Sequence, residues 1–258
     1  MSLSLRLTAD LTLALAARAL NTKSGLSPIL RVSPETNFEY APDFFIPRSR
    51  RTGNESSPSI SLGPRLRSPI VWISGSEALD HPGVARLANS LTASVCHVFL
   101  ETSGAALKPR LHEFQPSSRF YFAVRFDGDT SSLRQQNSRK GPFRVELEAI
   151  RMARLAGFFT CAQLVLQSKT TSSELVELHH EICKLDVDGF LITPAARTPE
   201  LAKEAGRLCR RLLGWRWSLL SSLLDAGESP VSTQTSLNPA PLTGPDSRQD
   251  NFGEGAEA

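Results

Sequence analysis

The chain has 258 residues, of which 40% are hydrophobic and 21% charged, with a formal net charge of +3. That suits a soluble protein of one large domain or two small ones, and the charge is too small to argue for nucleic acid or a membrane as an obligatory partner. The four cysteines stand at 96, 161, 183 and 209 and never form a C-x2-C pair, which excludes a disulfide framework or zinc site and reads as reduced, buried thiols of a cytosolic protein.

The N-terminus, "MSLSLRLTADLTLALAARALNTKSG", carries an apolar run broken by Asp10 and Arg18. It is too short and interrupted for a membrane span. Its "ALA" admits a signal-peptide reading, but an amphipathic helix capped near Thr8 and ended by Gly25 suits the pattern better. A cytoplasmic location is expected. Residues 1–27 are read as this helix and a connector, 28–225 as the body, and 226–258 as a tail.

From residue 28 the chain alternates. Strand-like runs are "PILRVS" (28–33), "PIVWIS" (69–74), "VCHVFLE" (95–101), "FYFAVRF" (120–126), "TCAQLVLQ" (160–167) and "GFLIT" (189–193). Segments with helical spacing lie between and after them, at 81–93, 105–114, 141–157, 172–186 and 198–227. This interval predicts βαβ units and a parallel sheet. The strands are nearly all apolar, as when both faces are covered.

Two regions break the rhythm. Residues 46–68 occupy the place of the first crossover helix, but Gly53, Pro58, Gly63, Pro64 and a serine cluster argue against a long helix there. The tail is rich in Pro, Ser, Gly and Thr and is expected to be disordered. Six βα units fit either a doubly wound open sheet or an open barrel of the TIM kind. Periodicity does not separate the two, yet both bind ligands at the carboxyl ends of the strands.

Those ends are therefore the place to look. The second strand runs into Ser74, Gly75, Ser76 and Glu77, and the third into Glu101, Thr102, Ser103 and Gly104. The fourth gives Arg125, Asp127 and Gly128, the fifth Gln167, Ser168 and Lys169, and the sixth Thr193, Pro194 and Arg197. Each alone is what a turn or helix cap would choose; their succession on consecutive strands carries more. Small residues let a backbone approach a ligand, and Glu77 can accept from an ammonium group.

In this order the motifs resemble the radical S-adenosylmethionine (radical SAM) superfamily. "VWISGSEALDHPGVARLANSL" looks like the family's G-G-E-P stretch, "VFLETSG" its E-T-N-G, "VRFDG" its D-G, and "RKGPFRVELEAIRMARLAGF" the helix opening R-K-G-x-F. The resemblance spans about residues 28–195. It implies a partial TIM-type (β/α)6 barrel with parallel strands. It implies a cofactor pocket on Gly75, Ser76, Glu77, Glu101, Ser103 and Asp127, with Ser76 and Ala78 in place of the second glycine and the proline.

The family carries C-x3-C-x2-C after its first strand. Here the same spacing holds Phe38, Pro42 and Phe45. A [4Fe-4S] cluster is bound by thiolates, and Phe and Pro have no donor atom, so the cluster is expected to be absent. Cys96 and Cys161 fall near the beginnings of strands, on the face opposite the expected site, and Cys183 and Cys209 in helices. His179, His180 and Glu181 are adjacent helical residues that diverge by about 100° each and make no metal set.

The expected function is a radical-SAM-like barrel without its cluster ligands: a non-catalytic or adenosyl-ligand-binding member, a pseudoenzyme for which S-adenosylmethionine is the candidate cofactor. Two alternatives stand beside it. One is an active enzyme using unforeseen cluster ligands, or using Glu77, Glu101, Asp127 and Lys169 for non-radical chemistry. The other is a protein-interaction module acting through the last helix and the basic loop. Arg48, Arg50, Arg51, Arg65 and Arg67, with Arg207, Arg210, Arg211 and Arg216 on the last helix, read as solvated faces and not as a nucleic-acid surface. Trp215, Trp217 and the leucines at 208, 212, 213, 219, 220, 223 and 224 are expected to pack that helix on the body.

Overall fold

Apolar runs of this length pair side by side once helices cover both of their faces. The structure, a computed structural model, describes residues 5–20, 29–33, 45–47, 60–62, 68–75, 77–93, 96–127, 142–196 and 198–226, all within the unit Met1–Glu228. Helix α1 is Leu5–Leu20, and strands β1 (Ile29–Val32), β2 (Phe45–Pro47), β3 (Ile60–Leu62) and β4 (Ile70–Ile73) follow. A 3-10 turn at Ala78–Asp80 leads into α2 (Val84–Ala93), then β5 (His97–Thr102), α3 (Leu107–Arg110), a second 3-10 turn (Leu111–Glu113) and β6 (Phe120–Asp127). The remainder is α4 (Pro142–Leu155), β7 (Phe159–Leu166), α5 (Ser172–Cys183), β8 (Gly189–Pro194), α6 (Pro199–Leu212) and α7 (Trp215–Ala226).

The six long-range strands are all parallel and lie in the order β1-β4-β5-β6-β7-β8. No neighbour reverses. A doubly wound sheet changes direction at a switch point, whereas a barrel steps always the same way, so the order decides for the barrel. The sheet curls into a half-barrel. In the region of the first crossover β2 and β3 form an antiparallel pair, Phe45 opposite Leu62; residues 48–59 and 63–67 of that crossover lie outside those described. The expected disorder of the tail concerns residues outside those described, Ala226 excepted, which ends α7.

Alternation along each strand divides the core. On the convex side Val71, Ile73, Val98, Leu100, Phe120 and Phe122 pack under α2, α3 and α4. Further along, Val124, Leu164, Leu166, Phe190 and Ile192 pack under α4, α5 and α6. On the concave side Ile70, Trp72, Phe99, Tyr121, Cys161 and Leu191 meet Leu7 and Leu11 of α1 and Trp217, Leu220 and Leu224 of α7. Both terminal helices therefore fill the hollow.

The sequence reads as one last helix, and the structure makes two. Thr198 caps α6 by accepting from Leu201 N at 3.4 Å, with Pro199 at its first position. The helix ends at Leu213, whose backbone is extended, and Gly214, a poor helix former, follows. The break lets α6 stay on the convex side while α7 crosses to the concave one. Thr8, expected as the N-cap of α1, lies inside that helix, and its carbonyl accepts from Thr12 Oγ1 at 3.0 Å.

The turn to α7 also covers the edge strand β8. Ile192 N donates to Ser221 Oγ at 3.3 Å, and Cys209 Sγ–H points to Ile192 O at 3.7 Å. An open row of backbone groups would otherwise be a pairing hazard. Gly189 permits this seat, because a Cβ there would fall 1.9 Å from the Trp217 ring. Among the described residues no helix is long and apolar enough to cross a membrane.

Candidate functional site

Every second strand residue faces the hollow, and the parallel register stacks these residues into rows. Arg31 sits beside Trp72, Trp72 beside Phe99, Phe99 beside Tyr121, and Tyr121 beside Phe159. The rings form a ladder with centroids 5.5, 4.7 and 5.3 Å apart. Nearer the carboxyl ends the inward row turns polar: Glu101, then Arg125 beside Gln163, then Val165 beside Thr193.

These residues line a cavity of about 280 Å3 to which all six parallel strands contribute, with Leu224 and Asp225 of α7 on its rim. Glu101 Oε2 accepts from the Trp72 indole N–H at 3.0 Å, and its Oε1 lies 3.8 Å from Arg125 Nη1. Arg125 Nε donates to Asp127 Oδ1 at 3.1 Å. Arg31 donates to the Leu224 carbonyl at the C-terminal end of α7, where a cation suits the helix dipole. Gln163 Nε2 donates to Thr193 Oγ1 at 3.2 Å. Two cations and two carboxylates, Glu101 and Asp225, thus converge on a half-enclosed space.

A larger hollow of about 740 Å3 lies on the other side of α7, against α6. Its wall is largely apolar, from Leu213, Leu219, Trp215 and alanines, with Arg210, Asp225 and three serines among them. Size alone does not mark a site; a few convergent polar groups in a concavity do.

The predicted site residues divide. Gly75 and Glu101 line the cavity, as do Arg125, Thr193 and Pro194. Glu77 is turned away from it: its carboxylate accepts from Thr102 Oγ1 at 2.7 Å and from Ser103 N and Oγ at 3.0 and 2.6 Å. It buckles the two strand-end loops together, so Ser103 serves as its partner. Gly104 follows with φ +87°, and a Cβ there would lie 2.6 Å from Ala149 Cβ, so only glycine fits that turn. Asp127 is exposed and holds Arg125. Lys169 is exposed in the turn after β7. Ser76, Phe38, Pro42 and Arg197 lie outside the described residues, as does the Phe45 side chain.

Arg31, Trp72, Gln163 and Asp225 were not read from the sequence as site residues. A signal existed for Gln163, the one carboxamide in the apolar run "TCAQLVL". Behind Asp127, burial chiefly and then the Asp127 charge push the Glu146 carboxyl up to about 8, against the pull of Arg125.

The donor set does not fit an iron-sulfur cluster. Cys96 precedes β5 and Cys161 is the third residue of β7, both buried, while Cys183 ends α5 and Cys209 lies in α6. Burial raises all four thiols, Cys161 well above the ordinary range and Cys209 to about 11. Cluster ligands are thiolates that converge, and these are dispersed thiols. Nor do the helical histidines gather a metal set: the His179 ring packs, tilted, against Phe190 at 4.4 Å. Among the described residues no three His, Cys, Asp or Glu do so.

No protein-family model and no curated protein matches the sequence. Solved structures do. SuiB of Streptococcus suis bound to S-adenosylmethionine superposes with a TM-score of 0.51 at 13% identity, over 78% of this chain and 50% of that one. SuiB bound to its precursor peptide SuiA gives 0.51 at 13%, over 78% and 48%. The fold shared with SuiB is a partial TIM-type α/β barrel of parallel strands. At that identity the likeness is one of fold. Archaeal TYW1 also aligns, at 15% identity over 80% of this chain and 59% of that one, with a TM-score of 0.40. The chain spans about half the length of the structures it matches.

Proposed function

We propose that this chain is a radical-SAM-like half-barrel that binds an adenosyl ligand at the carboxyl ends of its strands and performs no cluster-driven radical chemistry. The observation that carries the reading is the cavity itself: all six strands and α7 deliver groups of both signs to it, while all four cysteines lie elsewhere with their thiols raised. SuiB, which shares the fold, was solved with S-adenosylmethionine bound. Bound here, that molecule would supply a sulfonium and an adenosyl group. Arg31 and Arg125 suit its carboxylate, Glu101 and Asp225 its ammonium, and Gly75 lets the backbone approach it. The Glu77 buckle positions the loops and takes no part in contact.

The test is calorimetric titration of S-adenosylmethionine into anaerobically purified protein, with iron and sulfide assayed on the same sample. Saturable binding without iron supports the proposal. Absence of both leaves a scaffold and overturns ligand binding. Iron and sulfide near about four of each per chain, as a [4Fe-4S] cluster requires, overturns the loss of the cluster.

A second reading, a protein-interaction surface, rests on Trp215, a large side chain 62% exposed at the start of α7. Deleting α6 and α7 is no test, because Leu208, Trp217, Leu220 and Leu224 belong to the core. Trp215→Ala is: a partner retained equally by this variant removes the surface reading.

A further inference from the structure

Gln163 is at odds with ordinary packing. Its side chain is 7% exposed, in the middle of β7 on the concave side, at the wall of the strand-end cavity. One head of the carboxamide is matched by the Thr193 hydroxyl. The other, Oε1, is buried with no donor within reach among the described residues. Turning the amide over does not help, since Thr193 can match one head only and the other stays unmatched. A buried carboxamide oxygen without a partner is costly, and native chains keep few of them. A leucine or methionine would pack among Leu191, Cys161 and Ala123 at no such cost. Such a departure from the packing rule belongs where a ligand completes the hydrogen bonding.

We infer that Gln163 is the specificity-determining residue of the cavity: its carbonyl oxygen receives an O–H or N–H donor from the buried end of the ligand. A ligand without a donor there leaves the amide unmatched and is rejected. This rests on the proposal that the cavity is an adenosyl-ligand site, and adds which group of that ligand is read. The shared chemistry is a neutral or cationic hydrogen-bond donor, which an adenosyl ligand offers either as ribose hydroxyl or as ammonium. Glu101, on β5 and lining the same cavity, is likewise an acceptor. Sites built to pair a ligand's polar group discriminate strongly against the analogue that lacks it.

The experiment compares wild type, Gln163→Met and Gln163→Glu by calorimetry with three probes: S-adenosylmethionine, adenosine and L-methionine. Methionine keeps the side-chain length and removes both heads; glutamate restores an acceptor oxygen that Thr193 can still meet. The expected result is about tenfold weaker S-adenosylmethionine binding by Q163M, with Q163E within about threefold of wild type. The same loss should appear with whichever half carries the donor, adenosine for a hydroxyl or L-methionine for the ammonium. The melting temperature of ligand-free Q163M should equal or exceed that of wild type, because the substitution removes an unmatched buried oxygen. Wild type binding none of the probes would overturn the adenosyl-site reading itself. Wild type and Q163M binding S-adenosylmethionine equally would overturn this inference alone. So would a Q163E as weak as Q163M, or a Q163M that melts well below wild type, since a merely structural amide predicts both.

Discussion

Replacing Gly189 with alanine is the sharpest test of how α7 is seated in the hollow. The new Cβ would stand 1.9 Å from Trp217 Cζ2, 2.1 Å from Cε2 and 2.3 Å from Cη2, against about 3.5–4.0 Å for carbons in contact. The ring is 3% exposed among Leu191, Leu220 and Cys161, so it cannot swing aside and α7 must lift. Overpacking alone costs about 1–3 kcal/mol. Lifting also uncovers part of Trp217, Leu220 and Leu224, each worth about 1.5–3 kcal/mol when fully buried. A loss of about 3–5 kcal/mol is expected, which lowers Tm by about 6–20 °C for a chain of this size. The assay is urea unfolding of G189A, W217A and the double variant. W217A should cost about 3–5 kcal/mol. The double variant should be no less stable than W217A, giving a coupling of at least about 3 kcal/mol. If the two losses simply add, or if G189A lies within about 0.5 kcal/mol of wild type, the ring does not rest on Gly189 and the seat of α7 is wrong.

The other predictions concern turns and titrating groups. Gly104 (φ +87°) and Gly157 (φ +84°) share a backbone conformation, but only at Gly104 does a Cβ collide, Ala149 lying at 2.6 Å against 4.0 Å for the nearest atom at Gly157. G157A should cost about 1–2 kcal/mol in thermal melts and G104A about 2–4; equal losses would dismiss the close packing of α4 on β5. Glu146 is held protonated by burial, then by Asp127. A raised folded-state carboxyl stabilises fully below the unfolded pKa and loses that stabilisation as pH rises through about 8, so stability should fall between about pH 4.5 and 8. The fall should be about 2–3 kcal/mol, less than the full shift implies because the group is partly solvated. Glu146→Gln should flatten that limb of a Tm–pH curve, and an unchanged slope would refute the assignment. His97, 1% exposed with Nε2 3.4 Å from Asp10 Oδ2, is pushed toward the neutral form by burial, against Asp10 and with Arg119 and Arg6. Its lowered pKa gives stability that is present above about pH 6.5 and lost as pH falls toward the folded value. His97→Phe should weaken that acid dependence, whereas an acid limb as steep as that of wild type would show that His97 is not its source.

The strands were legible because a strand covered on both faces must be apolar throughout, and "PIVWIS", "FYFAVRF" and "GFLIT" are so. The proposal that the cluster is lost rests on sequence as well, since Phe38, Pro42 and Phe45 offer no thiolate donor whatever their conformation. Gly75 and Glu101, which line the cavity, could be named because they stand at strand ends. The partners of Glu77 could not: Thr102 and Ser103 donate to its carboxylate, and a hydrogen bond across 26 residues has no local signature. The break at Gly214 was hidden because leucines on either side continue a helical period through it. Local composition, in short reach along the chain, determined the elements. Which face α7 occupies, which polar residues meet at the mouth, and that Gln163 is left half-matched were decided by strand order and register. Those are relations between segments far apart in sequence, set by the curl of the sheet and not by any one segment's pattern.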